Sequence, residues 1–338
     1  MSMFGESYER PVYHGGDLDN ACRIYGGDKS QWIDLSTGIN PIPYPIPTIP
    51  MEQWARLPES ASEQKLLAAA RDYYKLPNTY HIVAAPGTQS LIQQLPNLFG
   101  RTLKVSIAKP TYAEHETCWR YAGHDVLPLT DKTIAADVII AVNPNNPTGK
   151  TYSASELTDL KAKHLAQGGL LILDEAFMDI CPDQSTAHTL PSENTIILKS
   201  FGKFFGLAGL RLGFAAGDKT LIEKLRSKLG PWAVSGPAAF VGSKAYSDTK
   251  WITETNIRPT KDCARLYKML QEADGKVMTS AGLFVTAEFQ DAPLLFEHLC
   301  RHHILTRPFS YAENWLRFGL PANKEQWTRL EQVLAGFY

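Results

Sequence analysis

A segment rich in glycine and aromatic residues around Lys203 carries the groups best suited to chemistry. Its sequence from Ser200 to Gly213 is S-F-G-K-F-F-G-L-A-G-L-R-L-G, and it follows the apolar run Thr195–Leu198. Burial among aromatic side chains lowers the pKa of a lysine, so that a neutral amine can form an imine with an aldehyde. Arg211 and Ser200 could hold a phosphate through a guanidinium and a hydroxyl group. Taken alone, the segment also fits a surface loop with an exposed lysine.

Two further motifs follow apolar runs. N-P-N-N-P-T-G, from Asn143 to Gly149, comes directly after Asp137–Val142. Its two X-Pro steps predict a rigid turn. D-E-A-F, from Asp174 to Phe177, ends the next run along the chain. A carboxylate at that point can keep a pyridine nitrogen protonated, although a helix cap or a salt-bridge partner is an alternative role.

Short apolar runs alternate with helical stretches through most of the chain. This pattern predicts strands buried on both faces of a mostly parallel sheet, with ligand groups at the strand ends. The expected helices include Ser62–Tyr74 and Ser153–Gln167, the second with a capping box. The expected strands are Ile82–Ala85, Val105–Ala108, Asp137–Val142, Gly169–Leu173, Thr195–Leu198 and Leu212–Ala216.

The chain divides into three predicted parts. Residues 1–50 form an N-terminal arm that ends in the proline-rich segment Asn40–Pro50, which is expected to be extended. Residues 51–220 form a large α/β domain. Residues 221–338 form a smaller α+β domain, with Thr286–Phe289 and Trp315–Phe318 as candidate strands.

Composition excludes several classes of function. The 338 residues include 34 Lys plus Arg and 35 Asp plus Glu, and the formal net charge of -1 predicts no nucleic-acid or membrane partner. The five cysteines have no CxxC spacing, so neither a metal site nor a disulfide framework is expected. Reduced cysteines of this kind predict a cytoplasmic location. The first ten residues do not resemble a signal peptide, and the apolar runs are too short to span a bilayer.

Together, the three motifs resemble those of the fold-type I pyridoxal-phosphate enzymes, over nearly the whole chain from about His14 to Arg317. The resemblance implies a large domain with a mostly parallel seven-stranded sheet, a smaller α+β domain and a homodimer. It implies pyridoxal 5'-phosphate as cofactor, held as a Schiff base on Lys203, with Asp174 at its pyridine nitrogen and Asn146 at its phenolic oxygen. The phosphate would be held by Gly87, Thr88, Gln89, Ser200 and Arg211.

Three positions need separate comment. Tyr112 matches the aromatic residue that stacks on the cofactor ring, although a packed core tyrosine is an equal alternative. Phe177 lies where many aminotransferases carry a tyrosine that bonds the phenolic oxygen, and a phenyl ring cannot donate that bond. Leu57 lies where relatives have a tyrosine that reaches the phosphate of the neighbouring subunit. The usual contact across the dimer is therefore in question, though the dimer is not.

The N-terminal arm narrows the resemblance. H-G-G-D-L from His14 and S-T-G-I-N-P from Ser36 resemble the threonine-phosphate decarboxylases of cobalamin biosynthesis, which are related to the histidinol-phosphate aminotransferases. The implied reaction converts L-threonine O-3-phosphate to (R)-1-amino-2-propanol O-2-phosphate. An aminotransferase acting on histidinol phosphate and a non-catalytic pyridoxal-phosphate module are the alternatives. The predicted substrate residues are His14, Gly15, Thr37, Gly38, Asn40, Arg307 (substrate phosphate, or a surface ion pair) and Arg317 (carboxylate).

Overall fold

The computed structural model describes residues 15–130, 132 and 135–337. Its helices are α1 (Leu18–Tyr25), α2 (Glu52–Ala55), α3 (Ser60–Tyr73), α4 (Thr88–Gln94), α5 (Glu114–Tyr121), α6 (Ala154–His164), α7 (Phe201–Phe204), α8 (Lys219–Leu229), α9 (Gly236–Tyr246), α10 (Thr249–Glu272), α11 (Ala292–Arg301) and α12 (Lys324–Ala335). Its strands are β1 (Ile33–Asp34), β2 (His81–Ala85), β3 (Lys104–Ile107), β4 (Asp125–Pro128), β5 (Ala136–Val142), β6 (Leu165–Asp174), β7 (Thr195–Ser200), β8 (Gly213–Gly217), β9 (Lys276–Ser280), β10 (Phe284–Glu288), β11 (Ile304–Leu305), β12 (Arg307–Phe309) and β13 (Ala312–Gly319). Within these ranges, no helix has both the length and the apolar character needed to cross a membrane.

The large sheet has seven strands in the order β2-β8-β7-β6-β5-β3-β4. β8 is antiparallel to both of its neighbours, and the strands from β7 to β4 are parallel to one another. Ile139 and Ala141 of β5 face one buried core, whereas Val138 and Ile140 face the other. Because both faces are buried, such strands are continuous apolar runs. The predicted mostly parallel seven-stranded sheet is therefore confirmed.

The element ends show where local sequence signals succeed and fail. α6 begins with the predicted capping box: Glu156 N donates to Ser153 Oγ at 3.2 Å, and Ser153 N donates to Glu156 Oε2 at 2.7 Å. The predicted end of this helix at Gln167 is wrong, because β6 already begins after His164. β4 was not predicted, because only Val126 of this edge strand is buried and the strand therefore lacks an apolar run.

A second, antiparallel sheet has the order β12-β13-β10-β9. Helices α10, α11 and α12 cover it, and each contributes a fully buried leucine to a shared core: Leu266, Leu295 and Leu330. The candidate strands Thr286–Phe289 and Trp315–Phe318 correspond to β10 and β13. The prediction of a smaller α+β part beside the large sheet is confirmed.

The N-terminal arm connects the two sheets. β1 pairs with β11, and Ile33 and Leu35 enter the small core. The segment Asn40–Pro50 contains no helix or strand, as predicted. The division at residues 50/51 and 220/221 stays a proposal. Helix α8 and helix α9 bury their apolar side chains in the cores of the large sheet, whereas the second half of α10 packs in the small core.

Candidate active site

One cavity is lined by every residue predicted to contact the cofactor. It lies where the parallel strands β5, β6 and β7 end, which is the edge at which side chains from several strands converge on a ligand. The apolar side chains of Ile92, Val142 and Leu212 complete its wall. The predicted residues in its lining are Gly87, Thr88, Gln89, Tyr112, Asn146, Asp174, Phe177, Ser200, Lys203 and Arg211.

Lys203 lies in α7, directly after β7, among buried aromatic side chains. Its Nζ lies 5.6 Å from the ring centroid of Phe177. The pKa of Lys203 falls to about 8, first because the side chain is buried and next because Arg317 is positively charged. Asp174 acts in the opposite direction, but the two lowering effects are larger. The site therefore favours the neutral amine that imine formation requires.

Asp174 ends β6 and is held by two hydrogen bonds. Its Oδ1 accepts from the backbone N of Ala176 at 3.0 Å, and its Oδ2 lies 2.9 Å from Nε2 of His115. His115, in α5, is fully buried. It was not among the predicted residues, and its only cue in the sequence is its short spacing from Tyr112. The pair fixes the orientation of the carboxylate at the cavity wall.

Two glycines allow a close approach between Arg211 and the start of α4. Gly87 has φ of 80° and precedes α4 without any side-chain cap, so backbone N–H groups are available there. A Cβ on Gly87 would lie 2.5 Å from Nη2 of Arg211, and one on Gly213 would lie 2.5 Å from N of Thr88. Ser200 pairs with Gly213 across the sheet. These groups form a cradle for an anion such as a phosphate.

Tyr112 is fixed from two sides. Its hydroxyl donates to Oε1 of Gln89 at 3.0 Å, and Nε2 of Gln89 donates to Glu114 at 2.8 Å. The ring of His115 meets that of Tyr112 edge-on, with centroids 6.1 Å apart. Burial raises the pKa of Tyr112, so the hydroxyl stays protonated. The contacts orient the ring at the cavity wall, as stacking on a planar ligand would require.

Arg317, in β13, reaches the large sheet from the small one. Its Nη1 donates to Oδ1 of Asn146 and its Nη2 to the carbonyl of Ser36, both at 2.6 Å. The side chain is buried, and its Nε has no hydrogen-bond partner among the described residues. Burial lowers its pKa to about 9, and the charge of Arg307 lowers it too. A buried guanidinium of this kind is well suited to bind a carboxylate.

Arg307 in β12 lies opposite Arg317 in the register of the neighbouring strand β13, and it lines a second cavity. This second cavity shares Tyr112 and Asn146 with the first one, and Tyr311 lies on its outer side. Two arginines on adjacent strands thus provide positive charge next to the Lys203 cavity. The structure brings both predicted substrate arginines to the same end of the site.

The arm residues predicted to bind substrate differ in their placement. His14 lies outside the described residues. A Cβ on Gly15 would lie 2.3 Å from the carbonyl oxygen of Ser36, so the start of the arm packs closely on the segment that contains Thr37. A Cβ on Gly38 would lie 2.8 Å from the ring of Phe177. The arm therefore passes directly over the wall of the cavity.

Asn40 contacts the Lys203 segment instead of lining the cavity. Its N donates to the carbonyl of Lys203 at 2.9 Å, and its Nδ2 donates to the carbonyl of Phe204 at 2.8 Å. Its Oδ1 accepts from the backbone N of Ile42 and from the guanidinium of Arg258. These hydrogen bonds direct the amide group of Asn40 toward protein groups. Its contacts hold the arm against the backbone of the lysine segment.

The cavity fits the predicted cofactor on three grounds. The glycine cradle beside Arg211 is shaped for a phosphate, since a Cβ at Gly87 would close it. Lys203 supplies an amine with a lowered pKa. Asp174 presents a carboxylate whose orientation is fixed by His115. These are the groups that a phosphate, an aldehyde and a pyridine nitrogen each require.

Known proteins with similar sequence or structure agree with this geometry. A family described as aminotransferase class I and II matches residues 49–332. The chain is 43% identical to a threonine-phosphate decarboxylase of Sinorhizobium sp, over 96% of this chain and 98% of that protein. It is 40% identical to a threonine-phosphate decarboxylase of Pseudomonas aeruginosa, over 96% and 97%. The histidinol-phosphate aminotransferase of Sinorhizobium meliloti, solved with pyridoxal-5'-phosphate, is similar in fold, with a TM-score of 0.81, 18% identity and 100% of both chains covered.

Proposed function

The chain belongs to the aminotransferase class I and II family, and from this premise we propose that it decarboxylates L-threonine O-3-phosphate. The products are carbon dioxide and (R)-1-amino-2-propanol O-2-phosphate, and the reaction is a step of cobalamin biosynthesis. Family membership confirms the predicted fold family and the predicted pyridoxal 5'-phosphate cofactor. The observation that carries the substrate is the near full-length similarity to two threonine-phosphate decarboxylases.

The residues at the cofactor end of the site would bind pyridoxal phosphate and keep its ring ready to accept electrons. Pyridoxal phosphate supplies an electron sink, because its protonated pyridine ring accepts the electrons of a bond broken at the substrate Cα. Lys203 would bond the aldehyde of the cofactor, since burial lowers the pKa of its amine to about 8 and the neutral amine is the reactive form. Asp174 would hold the proton at the pyridine nitrogen. Ser200, Arg211 and the backbone at the start of α4 would bind the phosphate.

The substrate end of the site selects the bond that breaks. Arg317 binds the carboxylate of the substrate, and Arg307 binds its phosphate. By holding both anionic ends, the two arginines would orient the substrate so that the Cα–carboxylate bond is the one that breaks. Its carbon would leave as carbon dioxide, its electron pair would pass into the electron sink that the cofactor supplies, and Nζ of Lys203 could deliver the proton that replaces it on Cα.

A homodimer is also part of the proposal. Several large apolar side chains along residues 42–57 are exposed, including Met51 at 74% and Trp54 at 61%, and Leu57 lies among them. Exposed apolar patches of this kind often mark subunit interfaces. Sedimentation of the wild type and of Trp54→Glu tests this point: the variant should sediment as a smaller species.

A cytoplasmic location completes the proposal. All five cysteines lie in the described part of the chain, and none of them forms a disulfide. Free thiols of this number are typical of a reducing compartment.

Product analysis tests the proposed reaction. Purified protein is incubated with pyridoxal phosphate and L-threonine O-3-phosphate in the absence of any keto acid. We expect catalytic release of carbon dioxide together with (R)-1-amino-2-propanol O-2-phosphate. Absence of carbon dioxide, with amino transfer once histidinol phosphate and 2-oxoglutarate are added, would show that the substrate and the reaction type are wrong while the fold and cofactor stand.

A further inference from the structure

A buried ion pair lies behind the cavity, on the opposite face of the large sheet. Glu175 follows Asp174 and Lys199 precedes Ser200, and both members of the pair are almost fully buried. Successive side chains of a strand point to opposite faces. Asp174 and Ser200 therefore face the cavity, while Glu175 and Lys199 face the core that contains Tyr74. On that side the Lys199 ammonium donates a short hydrogen bond to Oε2 of Glu175.

The pair is embedded in a well-satisfied polar network. Ser185 Oγ donates to Oε2 of Glu175 at 2.6 Å, and Thr186 donates to Oε1 from its N at 3.0 Å and its Oγ1 at 2.9 Å. Lys199 Nζ also lies 3.1 Å from Ser185 Oγ and 4.9 Å from the ring centroid of Tyr74. Burial alone would raise the pKa of Glu175, but the charge of Lys199 together with the hydrogen bonds from Lys199, Ser185 and Thr186 lowers it.

The position of the pair along the strands gives it a role. The ladder between β6 and β7 ends with Asp174 opposite Leu198, followed by one bond from Glu175 N to the Leu198 carbonyl at 3.0 Å. Past this point, the Glu175–Lys199 pair connects the two strands through their side chains. Asp174 and Ser200, the neighbours of this pair in the chain, lie at opposite sides of the predicted cofactor site.

We infer that Glu175 and Lys199 are positioning residues whose ion pair sets the separation between the Asp174 carboxylate and the Ser200 hydroxyl. The inference rests on the proposed function, which supplies the cofactor that these two groups hold at its ring and at its phosphate. Neither Glu175 nor Lys199 lines the cavity. They act on cofactor binding through their chain neighbours.

Cofactor binding by two variants tests the inference. Lys199→Met leaves the Glu175 charge buried without its partner, and we expect the dissociation constant for pyridoxal phosphate to rise by about tenfold or more, with a weaker visible absorbance band. The double variant Glu175→Gln/Lys199→Met removes both charges of the pair. Its resistance to urea should recover, but its dissociation constant should stay raised, because the connection between the strand ends is gone. The double variant carries the test if the single one fails to fold.

Val126→Ala is the matched control, because Val126 is buried in β4 at the far edge of the sheet. This variant should lose stability and bind the cofactor with the wild-type dissociation constant. Wild-type binding and spectrum in the double variant would overturn the inference and leave the ion pair a purely structural role. The assay contains no substrate, so failure to decarboxylate threonine phosphate would leave it intact. Failure of the wild type to bind pyridoxal phosphate would overturn both proposals.

Discussion

The two ends of the cavity are assembled in different ways. The cofactor end comes from the large sheet and the turns that follow its strands, and its groups are fixed by close neighbours, as Asp174 is by His115. The substrate end comes from the small sheet and the arm, which meet where Arg317 bonds Asn146 and the carbonyl of Ser36. Cofactor binding and substrate use should therefore be separable by mutation, and the variants below probe that separation.

Asp174→Asn should have the largest effect among these variants. An amide cannot hold the proton at the pyridine nitrogen as a carboxylate does, so we expect kcat to fall by roughly a hundredfold or more. The cofactor should still bind through Lys203 and its phosphate, and visible absorbance checks this. Asp137→Asn, at a surface ion pair with Arg101, is the control and should keep the wild-type kcat. A kcat that survives in Asp174→Asn would remove the carboxylate from the mechanism.

Arg317→Met should impair substrate use more than cofactor binding. Loss of charge-assisted hydrogen bonds to the substrate carboxylate costs about 1.5–3 kcal/mol, which lowers kcat/KM by roughly ten- to a hundredfold. The dissociation constant of pyridoxal phosphate should change little. Steady-state kinetics and cofactor titration measure the two effects separately. Normal kinetics in this variant would exclude Arg317 from the substrate site.

The pH dependence of cofactor capture couples the two ends. Only the neutral amine attacks an aldehyde, so the rate at which cofactor-free protein captures pyridoxal phosphate should rise with pH around a midpoint of about 8, the pKa of Lys203, and level off at higher pH. Arg317 lowers this pKa through its positive charge. In Arg317→Met the midpoint should therefore move to higher pH. An unchanged or lower midpoint, measured by stopped-flow absorbance, would contradict the coupling.

Asn40→Ala should have the smallest effect on catalysis. The change leaves the Phe204 carbonyl without its donor and removes one of the two acceptors of Arg258, which keeps Asp262, so the free energy of unfolding should fall by about 1–3 kcal/mol. KM for the substrate should stay near the wild-type value, because the side chain contacts protein groups and not the cavity. A raised KM with unchanged stability would support the predicted role of Asn40 in substrate binding.

The sequence predicts the cofactor end well for a physical reason. Each of its residues lies within a short motif that directly follows an apolar strand, and parallel strand ends meet at one edge of a sheet. Motifs that can be recognised locally in the sequence are therefore brought close together in the fold. His115 is the exception, because a single histidine on a helix carries no local signal, and its partner Asp174 is distant in the sequence.

The substrate end was harder to predict because its contacts are long-range. S-T-G-I-N-P indicates an arm near the site, but it does not tell which polar group faces the cavity. The role predicted for Asn40 in substrate binding stays a prediction, and its side chain bonds Phe204, Ile42 and Arg258. The arrangement depends on α10, which lies more than half of the chain away from the arm.

Borohydride reduction followed by peptide mapping tests the central claim most directly. Protein incubated with pyridoxal phosphate is reduced, digested and analysed by mass spectrometry, with Lys203→Ala as the control. We predict that the cofactor adduct is found on Lys203 and that the control carries no adduct in the cavity. An adduct on Lys199 or another lysine, with Lys203 unmodified, would contradict the account.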